Sequence, residues 1–470
     1  MKSNNNNFLF LKNIIKILST NLLVTIMGFI NSFIFPKIMS LKDYALYHSF
    51  LLYLTYTAIF HLGFPDGLII KYVGKEYSKI VKEDYKSETY FIISILSFFS
   101  ILLLIIYFIT NNLMILFVSF SIVPVNYLGS IKSLWQSWAL FNKFSIVNTV
   151  LATFIPVLAF VYYLIKKELP GNVYISIYLL FNWFITVIIV KKELDFTKNV
   201  KMAPIISKKN YEIEKIGIGF LLGNYINTLF ISCDKQFVKW FFSNEEFAFY
   251  SFGISMQALM TIFITSLSQP LFPLMANIDL KDNKYIKMKN YLLIFGSFSG
   301  CAYFFASFII KNFIIKFIPS LEIIKIYFLV FPAMAIVNCL YINLYKINNK
   351  MKTYVRTLIF ILILSIIMNC IFISFIKSYT SVAIATVIIY YIWICIGSFQ
   401  FNTIKYKLKD IIFILFFLIN FLLITSISND VLGCICYFMV FFLLSYLFYD
   451  MEIKFLIKFL YNKFLKLSKK

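Results

Sequence analysis

An acid and an amine sit side by side in a stretch otherwise built for a membrane. Cys233-Asp234-Lys235-Gln236-Phe237-Val238-Lys239-Trp240 follows the hydrophobic run Ile216–Ile231. A charge inside or beside a membrane span is expensive, so it is a functional candidate by default. Asp234 could exchange a proton or a monovalent cation, and Lys235 and Lys239 could hold an anion. On a helical wheel of about 100° per residue with Asn224 at zero, Asn227 falls at about −60°, Asp234 at about −80°, Lys235 at about +20° and Lys239 at about +60°. All lie on one stripe roughly 140° wide. The two lysines are four residues apart, so their charges repel slightly, and an anion between them would relieve this. Two plainer readings compete. Lys239 can snorkel to the interface beside Trp240, and Asp234 can simply pair with a lysine.

Other polar residues recur at helical spacing. Gly253, Gln257, Thr261, Thr265 and Ser268 mark one face of the eighth apolar span, and Asn21, Thr25, Gly28 and Ser32 mark one face of the first. Such faces either line a wet cavity or pack against another helix. Phe64-Pro65-Asp66-Gly67 ends the second span. Asp66 reads either as turn or cap chemistry or as a coupling carboxylate. His61, little more than one turn earlier, could titrate near neutral pH or be a packed, hydrogen-bonded group. Lys37, Lys71 and Lys132 could add positive charge to a cavity; Lys71 and Lys132 also read as topology charges. Pro36, Pro124, Pro156, Pro270, Pro273 and Pro332 are candidate kinks.

The scaffold around these residues is hydrophobic. Of 470 residues 61% are hydrophobic and only 14% charged, with mean hydropathy +0.84, more apolar surface than a soluble domain can bury. Apolar runs of about 18 residues or more recur along the chain, the mark of membrane helices. The fold class is an all-α polytopic membrane protein. About fourteen spans are expected, near 14–36, 44–64, 89–109, 113–135, 144–165, 173–190, 216–233, 247–268, 291–314, 322–345, 356–376, 381–403, 411–428 and 431–449.

The net charge of +23 does not point to nucleic acid, because the lysines lie in short loops between apolar spans. With the N-terminus inside, roughly 34 of the basic residues fall on the inner side, which places both termini in the cytoplasm. The seven cysteines all lie in apolar segments without metal-type spacing and read as small apolar residues. No cofactor or metal is expected. Two histidines, one arginine, no long outer loop and no Walker-type loop argue against an enzyme or a directly ATP-driven pump. No secretory cleavage signature follows the first apolar run.

The longest loop, 191–215, falls near the middle of the first twelve spans. Asp43-Tyr44-Ala45-Leu46-Tyr47 is echoed by Glu246-Phe247-Ala248-Phe249-Tyr250. Each copy lies between the first and second helix of a six-helix set. The expected organisation is therefore two pseudo-symmetric six-helix halves, 1–190 and 216–403, joined by the linker 191–215, with two further helices in 404–449. A basic tail, 450–470, has an amphipathic spacing suited to the membrane surface, or is simply solvated. Transporters built from parallel repeats place the substrate between them and rock about it.

Several stretches together resemble the polysaccharide flippase branch, often called Wzx, of the multidrug/oligosaccharidyl-lipid/polysaccharide exporter superfamily. They are Leu62-Gly63-Phe64-Pro65-Asp66-Gly67, Asp234-Lys235 with Glu246-Phe247-Ala248-Phe249-Tyr250-Ser251, and Pro270-Leu271-Phe272-Pro273. Family members commonly carry Asp-Arg at Asp234-Lys235 and Gly at Ala45 and Ala248. The change to Lys235 keeps the charge and loses bidentate geometry. The resemblance covers about residues 10–450. It implies transfer of an undecaprenyl-pyrophosphate-linked oligosaccharide from the cytoplasmic to the outer leaflet of a bacterial cell membrane for O-antigen, capsule or a similar polymer. It also implies membrane lipids, a polysaccharide polymerase and a chain-length regulator as partners. On that reading Lys235, Lys239, Asn224, Asn227, Gln257, Thr261, Asn21, Thr25 and Lys37 are substrate-binding candidates, and Asp66, Asp234 and His61 are ion-coupling candidates. A small-molecule exporter, a lipid II-type flippase and a membrane polymerase or ligase remain alternatives.

Overall fold

The computed structural model describes residues 23–455, 457 and 458, apart from 76, 78–79, 277, 279–282, 402–403 and 428. In chain order its helices are α1 (Leu23–Ile38), α2 (Leu41–Tyr56), a 3-10 turn (Thr57–His61), α3 (Phe64–Tyr72), α4 (Lys82–Thr110), α5 (Leu113–Ser137), α6 (Phe141–Lys166), α7 (Gly171–Phe196) and α8 (Lys208–Phe241). They continue as α9 (Asn244–Ala276), α10 (Lys284–Phe298), α11 (Gly300–Phe313), α12 (Ser320–Phe328), α13 (Phe331–Ile336), a π turn (Val337–Tyr341), α14 (Ile342–Ile347), α15 (Met351–Phe375), α16 (Thr380–Gln400), α17 (Leu408–Ile424) and α18 (Asp430–Phe448).

Among the described residues ten helices are long and apolar enough to cross a membrane, counting α10 and α11 as one. The pair α12 and α13–α14, bent by 49°, makes an eleventh if it is a single broken span. That is fewer than the fourteen expected. The other three expected spans fall on shorter helices. The start of 14–36 lies outside the described residues, 44–64 is cut short at Leu62-Gly63, and 411–428 holds a helix of 17 residues.

The chain divides into two compact units, Met1–Ser232 and Cys233–Lys470, with α8 running across the division. In the first unit α5 is the buried element, packed against α2, α3, α4, α6 and α7. Its core joins Phe64, Leu68, Tyr72, Ile92, Leu96, Ile122, Tyr127, Ile131 and Trp135. The second span breaks because Leu62 and Gly63 take left-handed conformations (φ 50° and 79°) before Pro65 restarts the helix as α3. The break lets two backbones touch. A Cβ on Gly217 would stand 1.9 Å from the Gly63 carbonyl oxygen, and one on Gly67 would stand 2.1 Å from that of Ile213. Close approach of small residues is a standard way for membrane helices to associate without a hydrophobic driving force.

The repeated acidic-aromatic-Ala pattern is helix-start chemistry. The Ser40 hydroxyl oxygen accepts from the Asp43 N–H at 3.1 Å. At the later copy Ser243 Oγ accepts from the Glu246 N–H at 3.2 Å while Glu246 Oε2 accepts from the Ser243 N–H at 2.9 Å, a reciprocal capping box. Asp43 Oδ1 also accepts from the Gly171 N–H at 2.8 Å, tying the starts of α2 and α7 together.

The stretch 191–215 is mostly helical, because α7 runs to Phe196 and α8 starts at Lys208. The irregular part is strapped to the start of α4. Lys86 Nζ donates to the Val200 carbonyl (3.1 Å) and Ser87 Oγ to that of Pro204 (2.9 Å), and Lys209 pairs with Asp84 at 2.5 Å. In the second unit Lys289 pairs with Asp410, whose other oxygen accepts from the Tyr449 hydroxyl at 2.8 Å. Of the tail, Glu452 and Ile453 are buried, Asn290 Nδ2 donates to Glu452 at 2.6 Å, and Met451 and Phe455 are exposed. Residues 459–470 lie outside the described residues.

Candidate functional site

Asp234 is the one sequence candidate around which the structure assembles a polar cluster. It lies on the last turns of α8 in the second unit and is 6% exposed. Its Oδ2 accepts from Thr386 Oγ1 on α16 and from the Tyr327 hydroxyl on α12 at 3.2 Å. Its Oδ1 accepts from Asn369 Nδ2 on α15 at 3.2 Å. Tyr327 is also hydrogen-bonded to Tyr250 of α9, oxygen to oxygen 2.6 Å. Three helices thus donate to a carboxylate carried by a fourth, and a fifth, α9, joins through Tyr327.

None of these partners carries positive charge. Among the described residues no lysine, arginine or histidine pairs with Asp234. Neighbouring Lys235 points about 100° round the helix. A buried carboxylate surrounded only by neutral donors is incompletely compensated. A proton or a monovalent cation would supply the missing charge. Asn369 Oδ1, on the same amide that donates to Asp234, is buried and without a hydrogen-bond partner. The set of carboxylate, amide and hydroxyl oxygens suits a hard cation. Among the described residues no three His, Cys, Asp or Glu group together as a transition-metal site would need.

The cluster also grips a broken helix. Tyr327 stands two residues before Leu329, where the bend between α12 and α13 begins. Pro332 supplies no N–H to the preceding turn. The Leu329 carbonyl, at the break itself, accepts from the Tyr391 hydroxyl at 2.9 Å. Further along, in the π segment, the Asn338 carbonyl accepts from Ser268 Oγ (2.9 Å). Irregular backbone at membrane depth persists only where the surrounding protein satisfies it in this way.

The remaining candidates are dispersed. Lys235 is half-buried, and among the described residues it has no ion-pair or hydrogen-bond partner. Lys239 donates to Asn244 Oδ1 (2.8 Å) and lies 5.2 Å from the Phe247 ring centroid, beside the exposed Trp240. Asn224 is exposed and Asn227 half-buried, both on the part of α8 that belongs to the first unit. Gln257 and Thr261 are half-buried on α9. That polar face packs on the bent span: Thr261 Oγ1 lies 3.7 Å from Met334 Sδ, and a Cβ on Gly253 would meet Ile323 at 2.5 Å. Helix packing thus occupies Gly253, Thr261 and Ser268, while Thr265 is exposed.

In the first unit Thr25 is half-buried, and the space beside Gly28 is open to 4 Å. Lys37 is exposed at the end of α1, and Asn21 lies outside the described residues. His61 Nδ1 accepts from the Gly63 N–H at 3.2 Å, closing the broken second span. Asp66, half-buried, sits in the first turn of α3, where a helix N-terminus favours an acid. It therefore begins a helix rather than ending one. Lys71 pairs with Glu88, which also accepts from the Tyr72 hydroxyl at 2.7 Å.

Sequence reasoning had not named Tyr327, Asn369 or Thr386. Asn369 carried a legible signal, an amide in the middle of an apolar span. Thr386 and Tyr327 carried none, since hydroxyl and phenol residues are common in this chain.

No protein-family model matches the sequence, and no curated protein does. Among solved structures the chain is similar to "Lipid II flippase MurJ, inward closed conformation", with a TM-score of 0.67 at 18% identity, over 94% of this chain and 100% of that one. At that identity the likeness is one of fold: this polytopic membrane protein has the helical architecture of that flippase.

Proposed function

We propose that the chain is a flippase that moves an undecaprenyl-pyrophosphate-linked oligosaccharide from the cytoplasmic to the outer leaflet of a bacterial cell membrane. The product feeds O-antigen, capsule or a related surface polymer. The observation that carries the reading is the near full-length likeness in fold to a lipid II flippase. Two features of this chain support it. Lys235, without an acidic partner among the described residues, is available to an anionic headgroup. Asp234, without a basic one, can bind the proton or monovalent cation whose gradient drives alternating access between two helical halves. Lys37, Asn224, Asn227, Gln257 and Thr25 are the further substrate-side candidates, and Asp66 and His61 the further coupling candidates. Both termini are placed in the cytoplasm by the lysine distribution. A polymerase and a chain-length regulator would receive the product.

A second reading, flipping of lipid II itself, is favoured by the name of the structural neighbour. The test is made in the native host with the gene deleted, then restored as wild type or Lys235→Ala. Loss of surface polymer with intact lipid-linked units trapped on the inner leaflet supports the proposal. Failure of Lys235→Ala to restore export at normal protein level places that lysine in the mechanism. Unchanged polymer together with arrested cell-wall synthesis selects the second reading. Units that reach the outer leaflet unpolymerised refute transport altogether.

A further inference from the structure

One cavity belongs to neither the Asp234 cluster nor the lysine stripe. It is a groove of about 460 Å³ in the first unit, between α4, α5 and α7. Its construction follows from one proline. Pro124 lies inside α5 and has no N–H to give the carbonyl of Phe120 four residues earlier. Trp183 of α7 repairs the gap, its Nε1 donating to that carbonyl at 2.9 Å. Thr186, one turn on, is 3.5 Å from the Pro124 carbonyl. α7 is thus pinned to α5 beside Pro124, and the space between them is left open.

The walls are Ile93, Val123, Trp183, Val187, Val190 and Leu194. At one end stand Lys191 and Asp195, both exposed and, although four residues apart, not paired with each other. Beside the groove Leu180, Phe184 and Val187 are 70%, 60% and 59% exposed, so its long side opens toward lipid tails rather than water. From Trp183 to Asp195 is twelve residues, about 18 Å of helix. That is close to one leaflet of a hydrocarbon core about 30 Å thick. The lysine distribution puts the charged end at the cytoplasmic interface.

We propose that this groove holds one phospholipid of the inner leaflet with a zwitterionic, amine-bearing headgroup. An acyl chain lies along Trp183, Val187 and Val190. The phosphate meets Lys191 and the headgroup ammonium meets Asp195. The two side chains form an i,i+4 pair of opposite sign whose unpaired state matches a headgroup that carries both signs. A simple anionic lipid would satisfy Lys191 and be repelled by Asp195. The inference is independent of what the protein transports.

The test uses the full-length protein reconstituted in nanodiscs of equal phosphatidylethanolamine and phosphatidylglycerol, released into native mass spectrometry. A phosphatidylethanolamine bearing a diazirine in its acyl chain is used in parallel to map the contact. One retained phosphatidylethanolamine and labelling within residues 183–195 are expected. Lys191→Gln removes a charge-assisted bond and should weaken retention about tenfold. Asp195→Asn should abolish the preference for ethanolamine over glycerol while retention persists. Val187→Trp should fill the groove and abolish labelling, with an unchanged unfolding temperature showing that the fold is kept. Equal retention of both lipids by the wild type, labelling elsewhere, or labelling undiminished by Val187→Trp would overturn the proposal. Displacement by a low mole fraction of undecaprenyl phosphate would overturn it too, by assigning the groove to the carried lipid.

Discussion

Replacing Tyr327 by Phe tests the Asp234 cluster and reports the charge on its carboxylate. The substitution removes one hydroxyl and little volume. It deletes the 3.2 Å bond to Asp234 Oδ2 and the 2.6 Å bond to Tyr250. A hydrogen bond to an ionised acceptor contributes about 1.5–3 kcal/mol, and one between neutral groups about 0.5–1.5 kcal/mol. The Tyr327 bond to Asp234 is long for a phenol donor, which places it in the lower part of either range. A double-mutant cycle with Asp234→Leu, which leaves no acceptor, isolates this one interaction, because the Tyr250 bond is lost in both arms and cancels. The assay is unfolding of the purified protein by SDS in mixed micelles, with and without monovalent cations and at two pH values. A coupling near 1.5 kcal/mol, about tenfold in the unfolding equilibrium, means that the buried carboxylate is charged. A coupling under about 1 kcal/mol means that a proton neutralises it. A fall from the first value to the second on acidification identifies a proton as the ion exchanged, and a change with Na⁺ at fixed pH identifies a metal cation. A coupling indistinguishable from zero under all conditions would refute the geometry and with it the role given to Tyr327.

Two further outcomes follow from packing and pairing in the first unit. Gly217→Ala should sharply reduce the folded fraction recovered by size-exclusion chromatography, because the new methyl meets backbone at 1.9 Å. Overpacking costs about 1–3 kcal/mol even where side chains can yield. Gly219→Ala, with nothing within 4 Å, should leave recovery unchanged, and equal behaviour of the two would refute the α3–α8 contact. Lys71→Met strands the buried Glu88 carboxylate and should destabilise by about 3 kcal/mol, partly restored in the double substitution with Glu88→Gln. Additive losses in the same unfolding assay would show that the pair does not interact.

The first of those contacts could not be anticipated from the sequence, and the reason is general for this chain. Gly63 and Gly67, at and just past the end of one expected span, lie about 150 residues from Gly217 at the start of another, and nothing in hydropathy links them. The acidic-aromatic-Ala repeat was visible as a pattern, while its meaning as a capping motif appeared only with the hydrogen bonds of Ser40 and Ser243. The polar face of α9 was legible as a periodicity. Its use as a packing surface against the bent span depended on which helix came to lie beside it.

Composition and periodicity alone determined that this protein is helical and membrane-spanning, roughly where its spans run, and that Asp234 and Lys235 are out of place in them. These follow from transfer energetics, which act residue by residue along the chain. Tertiary structure decided which of the two charges is enclosed. It also decided that three helices supply Asp234 with neutral donors only, that a groove lies beside α5 and α7, and that Pro332 follows a bend. Those outcomes depend on which distant side chains reach a carboxylate or an orphaned carbonyl. Hydrogen bonds are satisfied across space, and their partners lie as far as 162 residues apart in the chain.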